Sequence, residues 1–164
     1  MNNKIVLEIV WWLVTAIITY GVLYPIISTI DAYPFLISNA IVVAAFVTLV
    51  RYIFLLPYTF IYGKLYLKAG FILLSPIIIF LLVQEVLTFQ TTVDEQGWEA
   101  ILGISQLQKV QNLSNYIRSE FLFFGVGSVM SAFIFPARLV ASIWQIINSA
   151  KGSLQEMKRD KNRG

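Results

Sequence analysis

Apolar residues in this chain fall into long runs almost free of charge, separated by short clusters of Lys, Arg, Asp and Glu. Neither the strict alternation of a half-buried strand nor the narrow stripe of a surface helix accounts for such runs, whereas membrane-spanning helices do. The first, residues 9–30, holds 22 positions without a charge. That meets the roughly 20 residues a helix needs to cross about 30 Å of hydrocarbon. A secretory signal is a poor fit, because the run exceeds the usual apolar core of such signals and lacks a small-residue cleavage site. A second run, 32–50, is entered at Pro34, whose missing N–H costs nothing in a first helical turn. The link Asp31-Ala32-Tyr33-Pro34 is short, so the first two helices form an antiparallel hairpin. Past Arg51 the chain stays apolar and aromatic through Tyr62. The third run, 69–84, continues beyond Glu85 through Val86, Leu87 and Phe89, and the fourth covers 121–137. The predicted fold is an all-α integral membrane protein of four transmembrane helices in two antiparallel hairpins. Its spans lie near 9–30, 34–56, 69–89 and 120–138 within one domain, 1–150.

Two non-membrane segments remain. In the outer loop, 90–119, Thr92 and Glu95 have the spacing of a helix-opening capping box. Apolar residues then recur at Trp98, Ile101, Ile104, Leu107, Val110, Leu113 and Tyr116. A strict interval of three drifts around a 3.6-residue helix, so two short helices broken near Gly103 are expected. Asn112-Leu113-Ser114 is a glycosylation sequon, with meaning only in a eukaryotic secretory pathway. After the fourth span, Leu139, Ile143, Ile146 and Ile147 share one helical face opposite Ser142, Gln145, Asn148 and Ser149. This segment is an amphipathic or extended end to the span. A basic tail, 151–164, follows.

Charge sets the orientation. With the N-terminus inside and Arg138 set aside, the inner segments carry nine basic residues: Lys4, Arg51, Lys64, Lys68, Lys151, Lys158, Arg159, Lys161 and Arg163. The outer segments carry two, Lys109 and Arg118, while Asp31, Asp94, Glu95 and Glu99 also fall outside. This bias places both termini in the cytoplasm of a bacterial plasma (inner) membrane. Composition agrees, with 58% hydrophobic and 13% charged residues against about 25% charged in soluble domains. The pI of about 9.2 does not imply nucleic acid, because the basic residues cluster at the ends of apolar runs.

The chain has no Cys and no His. This excludes thiol nucleophiles, disulfides, imidazole metal sites and the commonest general base. Asp31, Asp94 and Asp160 stand in three separate places, so no paired-aspartate catalytic site is expected. No enzyme activity, cofactor or metal is expected, and no motif is specific enough to imply a family.

The remaining candidates concern contacts. Measured from Pro34, Arg51 lies about 25 Å along its helix, and Arg138 about 27 Å from Glu120. Both reach the cytoplasmic boundary, where they either snorkel to headgroups or bind an anion. With Lys64 and Lys151 they are the candidate contacts for lipid phosphate or another anion. Glu85 falls near the outer surface, within reach of a structural ion pair with Arg118. Gly125, Gly127, Ser128, Ser131 and Ala132 on the fourth span, and Ala40 and Ala44 on the second, form small-residue packing faces. Arg51 and Lys64 are thirteen apart, as are Arg138 and Lys151, which raises an internal duplication. The expected partners are the bilayer, anionic phospholipid, and other membrane subunits or further copies of the chain. Two functions follow: a non-catalytic subunit or assembly factor of a larger membrane complex, or a homo-oligomeric channel or transporter. A pore requires its Thr, Ser and Tyr residues to line one connected path.

Overall fold

The computed structural model describes residues 3–30, 33–103 and 107–161, which are helical almost throughout and contain no strand. Asp31 and Ala32 of the first link, Ile104, and Arg163 of the tail lie outside the described residues. Four helices are long and apolar enough to span a membrane, their candidate spans being Ile5–Ile27, Leu36–Tyr58, Leu65–Leu102 and Lys109–Ser149.

Helix α1 (Asn3–Ile27) carries Pro25 in its last turn. The carbonyls freed at that end are taken up locally: Ser28 N–H donates to Tyr24 O and Thr29 Oγ1 to Pro25 O, at 2.9 and 2.8 Å. Helix α2 (Leu36–Leu55) is opened by Asn39 N–H donating to Phe35 O. A 3-10 turn, Leu56–Tyr58, ends it at Pro57, and Thr59 closes the turn with both its N–H and its hydroxyl on Leu56 O. The segment from Leu56 to Ile61 then tucks against the bundle, with Leu56, Thr59 and Ile61 buried.

Helix α3 (Leu65–Leu102) holds Pro76 in its interior and breaks at Gly97, whose φ of 73° and ψ of 164° suit only glycine. The chain folds back there, and Trp98 meets Phe89 edge-on. Gly103, left-handed at φ 61°, ends the helix by donating its N–H to Glu99 O. Helix α4 (Leu107–Lys161) then runs 55 residues with Pro136 inside.

This agrees with the expected outer loop of short helices at Gly103, where the helix stops, and in the short piece 98–102 after the Gly97 break, but differs elsewhere. Most of 90–119 extends α3 and α4 instead. Thr92 opens no helix, because its hydroxyl donates back to Thr88 O one turn earlier, inside α3. The fourth helix likewise starts at Leu107, thirteen residues before Glu120, and the second at Leu36 rather than Pro34. The two halves also diverge where a duplication would match them. The chain turns at Pro57 soon after Arg51, but α4 continues unbroken past Arg138.

Helix α4 is the centre of the bundle, packing along both α3 and α2, while α1 leans mainly on α2. Two apolar clusters fill the interior. One gathers Leu23, Ile26, Phe89, Ile101, Leu113, Ile117 and Phe121 at the end bearing the α1–α2 link, where Phe89 and Phe121 stack at 3.8 Å. The other gathers Leu49, Leu56, Leu82, Phe135 and Leu139 toward the opposite end. Between them the small residues of α4 let its neighbours come close. A Cβ on Gly125 would sit 2.9 Å from Val86 Cγ2, and one on Gly127 would sit 2.7 Å from Phe46 Cε2.

Candidate functional sites

Near the end of the bundle bearing Lys64 and Lys68, α1, α2 and the turn after α2 converge on Glu8. Arg51 Nη2 lies 2.7 Å from Glu8 Oε2, too obliquely for a hydrogen bond, so the contact is one of charge. Glu8 also accepts from Tyr52 Oη at 3.3 Å and from Phe60 N–H at 3.1 Å. The guanidinium stands over the rings of Trp11 and Tyr52, at 5.5 and 5.1 Å from their centroids. Arg51 is thus enclosed, its side chain 4% exposed, and neutralised within the chain.

The other basic residues take separate partners. Arg138 donates its Nε to Ile53 O at 3.2 Å, satisfying a carbonyl in the last turn of α2, where cations are favoured. Lys64 Nζ lies 3.4 Å from the Phe60 ring centroid. Lys68, fully buried, donates to Ser142 Oγ at 2.8 Å and stands 4.8 Å from the Tyr62 ring centroid. Lys151 is exposed and lies about 20 Å beyond Arg138 along α4. Arg51, Arg138 and Lys64 are thus each engaged by groups of the chain itself, with Arg138 also within electrostatic reach of Lys68, while Lys151 stands apart from them along α4. Glu8, Lys68 and Ser142 complete the arrangement. Glu8 was legible as an acid at the same end of its span as Arg51, and Lys68 gave no signal beyond its place at the start of a run.

At the opposite end, Asn39 of α2 donates its Nδ2 to Glu120 Oε2 of α4 at 3.0 Å. Asn39 is 0% exposed and Glu120 7%. Tyr33 is buried beside them, and burial raises its phenol above the usual tyrosine range. Tyr116 donates its hydroxyl to Val22 O of α1 at 2.7 Å. The expected pair of Glu85 with Arg118 is not formed. Among the described residues the ion pair present is Arg51 with Glu8, and Arg118 instead borders a recess with Asp94, Gln90 and Trp98.

The small residues divide into two groups. Gly125, Gly127, Ser128, Ser131 and Ala132 are used inside the bundle: both glycines face α3 or α2 side chains, and Ser128, Ser131 and Ala132 are buried. Ala40 and Ala44 line a groove between α1 and α2 with Thr15, Ala16 and Thr19, flanked by the exposed Trp12 and Tyr20. Thr15 satisfies its hydroxyl on Trp11 O, whereas Thr19 Oγ1 is buried with no partner. Ser75 and Ser128 likewise bond back to Phe71 O and Gly125 O of their own helices. Among the described residues no three Asp or Glu side chains converge as a metal site would require.

No protein-family model, curated protein or solved structure matches this chain.

Proposed function

We propose that this chain is a non-catalytic subunit or assembly factor of a larger complex in a bacterial inner membrane, with both termini cytoplasmic. The orientation rests on the nine-to-two distribution of basic residues between inner and outer segments. The observation that carries the functional reading is the groove between α1 and α2. Its floor of Ala16, Ala40 and Ala44 has the small side chains that let a second helix backbone approach closely, and the orphan Thr19 hydroxyl offers that helix a hydrogen bond. The bundle's own helices leave this face open while consuming the small residues of α4. A pore-forming reading gains no comparable support, because Thr15, Ser75 and Ser128 sit on three helices and each bonds back to its own backbone.

Native mass spectrometry of the tagged chain, extracted from its host in mild detergent, tests the proposal. A stoichiometric foreign subunit is expected in the wild type. It is absent from Ala44→Trp, in which an indole fills the groove, provided that variant unfolds at the wild-type temperature. Recovery of the chain only as a homo-oligomer rejects the accessory role and makes ion flux in liposomes the next measurement.

A further inference from the structure

The contact between Asn39 and Glu120 is half complete. Asn39 Nδ2 donates to Glu120 Oε2, but Asn39 Oδ1 and Glu120 Oε1 are buried with no hydrogen-bond partner. With the carboxyl ionised, both orphan atoms are acceptors and neither can satisfy the other. Turning the amide over does not help, since one oxygen of each group would still lack a hydrogen. Nor is there a countercharge, because the ion pair among the described residues is at the other end of the molecule. An ionised carboxylate buried without a cation is among the costliest arrangements a protein can hold.

A single proton resolves all three difficulties. We infer that Glu120 is a proton-binding site: its Oε1 carries a hydrogen donated to Asn39 Oδ1, so that acid and amide close a two-bond ring tying α4 to α2. The proton comes from hydronium in the surrounding water: one O–H bond forms at Oε1 as one breaks in hydronium, which leaves as water. Loss of that proton removes one bond of the ring and leaves a buried charge in its place.

The groups around the site are compatible with this assignment. Tyr33, on the link into α2, and Tyr116, one turn earlier on α4, are titratable residues within electrostatic reach of Glu120. The Tyr33 hydroxyl is buried without a partner, and that of Tyr116 is committed to Val22 O of α1. From α3, the apolar ring of Phe89 stacks on the adjacent Phe121. Arg118, two residues away on α4, is exposed and borders the recess with Asp94.

Infrared difference spectroscopy of the wild type against Glu120→Gln, at neutral pH in lipid nanodiscs, reads the proton directly. The carbonyl stretch of a protonated carboxyl group is expected in the wild type and is lost in the variant. The thermal midpoint of the wild type falls as pH rises from the ordinary glutamate range, about 4.3, through neutrality, because the folded chain keeps a proton that the unfolded chain has released. That of Glu120→Gln does not, because a glutamine amide closes the same ring without a titratable hydrogen. Should Glu120→Gln fail to fold, Asn39→Leu supplies the test: the acid band moves to higher frequency as its carbonyl loses the Nδ2 donor. A wild type without the acid band overturns the inference. So does stability that follows sodium concentration rather than pH, which would mark an ionised carboxylate holding a cation. An acid band unmoved in Asn39→Leu would refute the ring.

Discussion

Replacing Glu8 by Ala tests whether Arg51 is held by a partner or reaches the membrane boundary on its own. At 2.7 Å the two charges attract by about 6 kcal/mol at an effective dielectric of about 20. Enclosing them costs several kcal/mol per ion, so the intact pair is close to neutral against a well-packed apolar replacement. Removing Glu8 alone forfeits the attraction but keeps the desolvation of an arginine whose side chain is 4% exposed, and also strips an acceptor from Phe60 N–H and Tyr52 Oη. The expected loss is about 3–5 kcal/mol. Arg51→Met costs less, about 1–3 kcal/mol, because Glu8 keeps two donors and is 14% exposed. The double variant Glu8→Leu with Arg51→Met returns to within about 1 kcal/mol of the wild type. Equilibrium unfolding in mixed detergent micelles, run as a double-mutant cycle, measures all four corners. A Glu8→Ala cost below about 1 kcal/mol with no coupling would refute the enclosed pair and restore a snorkelling arginine.

Three further outcomes follow from the packing. Gly127→Ala forces the Phe46 ring out of its edge contacts with Phe123 and Phe124, an overpacking cost of about 1–3 kcal/mol. Gly21→Ala meets no atom within 4 Å and gains up to about 1 kcal/mol from helix propensity, so their thermal midpoints should fall on opposite sides of the wild type or well apart in that order. Ser142→Ala leaves the buried Lys68 ammonium without its hydrogen bond, a loss of about 1.5–3 kcal/mol, while Lys68→Met combined with it recovers most of that stability in the same unfolding assay. Tyr116→Phe loses the bond to Val22 O, about 0.5–1.5 kcal/mol, and amide hydrogen exchange near the end of α1 should quicken.

The helices were legible where they are long and apolar enough to cross a membrane. Charge-free runs located all four, since a charge at mid-bilayer is strongly disfavoured. Their ends were not legible, because the polar stretches after Phe89 and before Glu120 keep intrahelical hydrogen bonds wherever no residue forbids them. Gly103 was recognisable as a stop. Gly97 was not, because a glycine within a helical pattern is tolerated, and the break shows only in its backbone and in the Trp98–Phe89 contact across it. The polar contacts failed for a related reason. Arg51 and Arg138 were placed by distance along their own helices, which gives depth but no azimuth. Their partners, Glu8 and the Ile53 carbonyl, depend on which faces meet. Asn39 was the missed clue: an amide within an apolar span needs a partner, and Glu120 is that partner.

Helix α4 measures about 82 Å from Leu107 to Lys161 at 1.5 Å per residue, against a hydrocarbon core of about 30 Å. Such a rod acts as a lever. Pro136 supplies a natural pivot, having no N–H to bond Ala132 O. From there to Lys161 is roughly 37 Å, so a swing of about 10° carries the tip through roughly 6 Å. Contacts on the far side of the pivot, Gly127 against Phe46 and Glu120 against Asn39, set the angle of the rod's other arm. Those contacts lie about 14 and 24 Å from the pivot, so a shift of a few tenths of an ångström there would be magnified about 1.6- to 2.8-fold at the basic end.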